Sequence, residues 1–82
     1  MTRILRNWNY REVTRFLKEN GFEFGYPMKG SHQASIKLNE KGEPRWIVEV
    51  SRPKTSYKQK TLAAMIRDSG IPQEEWIKWA QS

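Results

Sequence analysis

The chain contains no cysteine and only one histidine, His32. The first absence excludes disulfide frameworks, thiolate zinc sites and cysteine nucleophiles, and it makes a reducing compartment harmless to the fold. The second excludes a metal site built on two histidines of one chain, so neither a metal nor another cofactor is expected. Long apolar runs are missing as well. The longest, Leu62 to Ile66, falls far short of the roughly 20 residues that span a bilayer. The residues after Met1 do not form the apolar stretch of an export signal. A soluble, cytoplasmic protein without membrane attachment is therefore expected. No repeat, low-complexity stretch or linker divides the 82 residues, which suit a single domain over 1–82 with one core.

Positive charge is what the chain has in excess. Fifteen Lys and Arg against nine Asp and Glu give a net charge of +6. On so short a chain that charge attracts polyanions and makes nucleic acid the leading partner class, although it also serves plain solubility.

Along the chain, Asn9 precedes an apolar stripe of Tyr10, Val13, Phe16 and Leu17. With Glu12 three residues on, it forms a capping box, and Trp8 and Val13 occupy the positions of a hydrophobic staple. Asn20-Gly21 supplies a left-handed stop, so a helix is predicted over 10–19. From Phe22 the period changes to two, with Phe22, Phe24 and Tyr26 on one side of a strand that ends at Pro27. A second strand over 31–38 places Ala34, Ile36 and Leu38 on one face and Gln33, Ser35 and Lys37 on the other. A hairpin loop at 39–43 leads to a third strand over 45–51 that buries Trp46, Val48 and Val50. Ser56 and Gln59 have the spacing of a second capping box, before Leu62, Met65 and Ile66 at helical spacing and Gly70 as the stop. After Pro72, a short amphipathic tail over 73–80 carries Trp76, Ile77 and Ala80, and Trp79 is expected to be the most exposed tryptophan. The predicted fold class is α+β, ordered α-β-β-β-α. Two helices cover one face of a three-stranded antiparallel sheet, and a C-terminal helical turn follows.

His32 admits two interpretations. Strand parity puts it with Ala34, Ile36 and Leu38, as a partly buried structural histidine would be. Its place at the entrance of the strand, two residues after Gly30, instead allows the ring to be turned outward as a reagent. The aromatic residues, at alternate positions facing amphipathic helices, are expected in the core rather than as a base-stacking platform.

LKENGF at the end of the first helix, MKGSH at 28–32, the hairpin, and KTLAAMIRDSGI at 60–71 with its acidic-aromatic tail together resemble the HicA family of small bacterial and archaeal toxins. The resemblance follows the family's order over nearly the whole chain. It implies a fold like the double-stranded RNA-binding domain and a metal-independent ribonuclease that cleaves mRNA and is neutralised by a HicB-type antitoxin. It also implies that His32 is the catalytic histidine, that Gly30 is the structural glycine of the site, and that Thr61-Leu62 opens the second helix.

The chemistry of the residues is compatible with that role. A neutral imidazole can take the proton of a ribose 2′-OH, which then attacks the adjacent phosphate. Lys29, Ser31, Arg52, Lys54, Lys58 and Lys60 are the candidates for contacting the RNA and stabilising the developing negative charge. Lys58 and Lys60 are expected at the start of a helix, whose amides favour phosphate. No efficient donor for the leaving oxygen is evident, because lysine is a poor acid at neutral pH. Water or Ser31 would have to supply that proton, and a slow enzyme is expected. Two other functions fit the same sequence: a non-catalytic RNA-binding module of the same fold, and an interaction protein whose basic face docks an acidic partner.

Overall fold

The computed structural model describes residues 7–27, 32–51 and 56–81, and the statements below concern those residues. The elements are α1 (Tyr10–Glu19), β1 (Glu23–Pro27), β2 (Gln33–Leu38), β3 (Pro44–Val50), α2 (Gln59–Ser69) and α3 (Gln73–Gln81). The strands form one antiparallel sheet in the order β1-β2-β3. The α+β layout is the one expected.

Local signals hold at α1. The Glu12 amide donates to Asn9 Oδ1 at 2.9 Å, and the Asn9 amide donates to Glu12 Oε1 at 3.0 Å. The helix closes on Gly21, whose φ of +88° suits glycine. The Gly21 amide donates to Lys18 O and the Phe22 amide to Leu17 O, a Schellman closure with Phe22 and Leu17 both buried beneath it. At the hairpin, Asn39 Oδ1 accepts from the amides of Lys41 and Glu43, each at 2.9 Å.

One core cluster joins Val13, Phe16 and Leu17 of α1, Val48 and Val50 of β3, Leu62, Met65 and Ile66 of α2, and Trp76 of α3. Trp8, Phe22 and Tyr57 complete it from the connecting segments. The tail is thus a nine-residue helix that anchors the core, more than a terminal turn. Trp79 is partly buried, as is Trp46, whereas Trp8 and Trp76 are fully buried. Trp79 stacks on Trp8 at a centroid distance of 5.3 Å and donates from Nε1 to Glu19 Oε1 at 3.0 Å, tying α3 to α1.

Three expectations are corrected. The first concerns β2. Directly paired residues share a face, and β2 pairs Gln33 with Val50, Ser35 with Val48 and Lys37 with Trp46. Because Val48 and Val50 are buried against the helices, the helix-covered face of β2 is Gln33, Ser35 and Lys37. Ala34, Ile36 and Leu38 lie on the other face, where Ala34 is buried but outside the core cluster, Leu38 is 41% exposed and Ile47, opposite Ile36, is 55% exposed. The valines of β3 set the register, and the small Ser35 side chain fits beneath the helices.

The second correction is in β1, where the register shifts between Glu23 and Tyr26. This bulge pairs Tyr26 with Ala34 and Glu23 with Ile36, so the strict period of two expected from Phe22 does not run through the strand.

The third is at the start of α2. Its N-cap is Lys58, which makes no side-chain capping bond, and the Ser56–Gln59 capping box does not form. The segment before the helix is held extended by tertiary contacts. The Tyr57 amide donates to Trp8 O at 2.8 Å, its hydroxyl donates to Ser51 O at 2.5 Å, and its ring is buried.

No helix among the described residues is long and apolar enough to cross a membrane.

Candidate functional site

An open cleft of about 400 Å³ lies between the β2–β3 end of the sheet and α2. From the sheet it is lined by His32, just before β2, by Glu49 near the end of β3, and by Ser51 just after it. From α2 come Lys60, Thr61, Ala64, Met65 and Asp68, spaced so that they follow one face of the helix.

His32 is held by a short contact, with its Nδ1 2.6 Å from Glu49 Oε1. The side chains are 45% and 55% exposed, so the pair sits at the surface of the cleft rather than in the core. The parity argument for burial fails because the face of Ala34, Ile36 and Leu38 is the one the helices leave open. An ionised carboxylate only accepts hydrogen bonds, so the ring nitrogen that it faces is the one suited to hold a proton.

The rest of the cleft is of mixed charge. Lys60 faces it from the first turn of α2, and Asp68, which also accepts from Arg67 Nε at 3.2 Å, closes the other end of the same helical face. The first turn of α2 contains no acidic residue. The positive end of the helix dipole is therefore reinforced by Lys58 and Lys60 rather than offset. Among the described residues, no group of three or more His, Asp or Glu is arranged to hold a metal ion.

Of the residues singled out in the sequence, His32 and Lys60 meet in this cleft. Lys58 is exposed at the N-cap of α2 and does not line it. Lys29, Gly30, Ser31, Arg52 and Lys54 lie outside the described residues. Sequence reasoning missed Glu49 and Asp68. The hairpin register pairs Glu49 with Ala34. That makes it the diagonal neighbour of position 32, within reach of a long side chain.

No protein-family model matches this chain, and no curated protein matches it.

Proposed function

We propose that this chain is a metal-independent endoribonuclease of the HicA type. It would be the toxin of a toxin–antitoxin pair, cutting mRNA in the cytoplasm with His32 as general base and restrained by a HicB-type antitoxin. The observation that carries this proposal is the placement of the only histidine. It is half-exposed, it lines an open cleft beside Lys60, and its Nδ1 is engaged by a carboxylate.

In the proposed reaction, Nε2 removes the proton of a ribose 2′-OH, and the freed oxygen attacks the adjacent phosphorus. The bond to the 5′-oxygen breaks, leaving a 2′,3′-cyclic phosphate on one fragment and, after proton transfer from water, a 5′-OH on the other. Lys60 offsets the charge that develops on the phosphoryl oxygens. A positioned base contributes on the order of 10²- to 10⁴-fold, so turnover is slow compared with nucleases that pair a base with a dedicated acid.

The test is RNA digestion by the purified chain in EDTA, with His32→Ala alongside. Cleavage by the parent chain, yielding cyclic or 3′-phosphate ends and lost in the variant, is the expected result. The His32–Glu49 pair is exposed on both sides, so its loss should lower stability by at most ~1 kcal/mol. Equal cutting of single-stranded DNA, or a requirement for magnesium, would refute the mechanism. Retention of RNA without cleavage would show a binding module instead.

A further inference from the structure

We infer that Glu49 is the positioning residue of His32, fixing the imidazole as its Nδ1–H tautomer so that Nε2 is the basic atom. In its kinetic consequences the inference rests on the ribonuclease proposal; in its structural content it does not. The 2.6 Å separation brings the carboxylate oxygen into direct contact with Nδ1. Glu49 is carried by β3 at a position whose backbone pairs with Ala34, and His32 stands just before β2 on the neighbouring strand. Glu49 therefore sits in the two-strand ladder, and His32 lies one residue beyond its Gln33–Val50 end.

Among the described residues, Glu49 is the carboxylate that pairs with His32. The other charged groups of the cleft are Lys60 and Asp68, both on α2. A lysine ammonium only donates, so it cannot take the Nδ1 proton. Asp68 is engaged by Arg67.

The consequence for catalysis follows from proton bookkeeping. A neutral imidazole has one N–H and one lone pair, and only the nitrogen with the lone pair can act as base. With Nδ1–H donated to Glu49, the incoming 2′-OH proton goes to Nε2. The ring then becomes an imidazolium beside a carboxylate that stays ionised, the division of labour seen for the acidic member of a hydrolase triad. Without Glu49 the ring is free to populate the other tautomer and to rotate, so fewer encounters find the base in position.

Because His32 is the only histidine, ¹⁵N-histidine labelling yields a single imidazole, and its two nitrogen shifts report the tautomer directly. At a pH where the ring is neutral, the parent chain should show a protonated Nδ1 and an unprotonated Nε2. Glu49→Ala should move the population towards Nε2–H, and Glu49→Asp should restore part of it. An unchanged tautomer in Glu49→Ala would overturn the inference, whatever the chain does to RNA. Kinetically, losing a hydrogen bond to a charged group should lower turnover by about 10- to 100-fold with little change in KM, and Glu49→Asp should recover part of the rate. If Glu49→Ala cuts RNA as fast as the parent while His32→Ala is inactive, the positioning role is wrong and the ribonuclease proposal stands. If the parent cuts no RNA while the tautomer responds as expected, the ribonuclease proposal is wrong and the Glu49–His32 coupling stands.

Discussion

Gly70→Ala should be among the most damaging single substitutions in the described chain, and the structure divides its cost into two parts. Gly70 ends α2 with φ of +72°, a left-handed conformation that costs an L-residue roughly 1–2 kcal/mol. A Cβ added there would also lie 2.6 Å from Trp46 Cε2 and 2.7 Å from Cδ2 and Cζ2. These are atoms of a rigid ring belonging to a residue packed against the core, and the Arg45 guanidinium lies 4.2 Å from its centroid. Forcing such a contact apart costs a further ~1–3 kcal/mol. The sum, ~2–5 kcal/mol, is a large share of the ~5–15 kcal/mol by which domains are stable. For a chain of this size it lowers the melting temperature by about 8–40 °C. Urea denaturation of Gly70→Ala in the parent and in a Trp46→Ala background separates the two parts. Without the indole only the backbone cost should remain, giving a coupling of ~1–3 kcal/mol between the sites. A cost below ~1 kcal/mol in the parent, or the same cost in both backgrounds, would refute the reasoning. The site is involved too, because α2 carries one wall of the cleft and the Gly70–Trp46 contact sets its end against β3.

Two further outcomes are expected. Burial, with a smaller contribution from Tyr10, raises the Tyr57 pKa well above its ordinary value; above pH ~10 the folded state then holds a proton that the unfolded state has lost. The stabilisation is complete below that pH and is lost as pH rises, at up to ~1.4 kcal/mol per unit. Tyr57→Phe should flatten this alkaline slope, and identical slopes in parent and variant would refute the assignment. Lys60→Gln should weaken RNA binding and reduce the log-log salt slope by up to about 0.7 for a single strand. An unchanged slope would mean that this lysine does not meet the phosphates.

The sequence was most informative where the interactions are local. At α1 the cap, the staple and the stop all involve residues within one or two turns, so Asn9, Glu12 and Gly21 can be interpreted without knowing the rest of the fold. The face of β2 could not be read in that way. QASIKL alternates apolar with polar residues, and the pattern alone pointed to the wrong side, because the partner strand and its two buried valines decide which side is covered. The start of α2 was misread for a similar reason: the burial of Tyr57 and its bonds to Trp8 and Ser51 outweigh a serine cap that was legible only as spacing. His32 stood out by being unique and by following a glycine. Glu49 did not, because its meaning depends on a strand register that no local pattern states.

That contrast explains why the site tolerates exposure while the fold around it does not tolerate change. Of the described residues lining the cleft, only Met65 belongs to the core cluster. His32, Glu49 and Lys60 are outside that cluster and at least half-exposed or nearly so. Their chemistry therefore contributes little to stability, and what fixes them is the backbone beneath. A strand ladder carries the carboxylate, with the histidine one residue beyond its end, and one helix, anchored through Leu62, Met65 and Ile66, holds the lysine. Building reactive groups on packed elements in this way preserves their geometry without burying their charges.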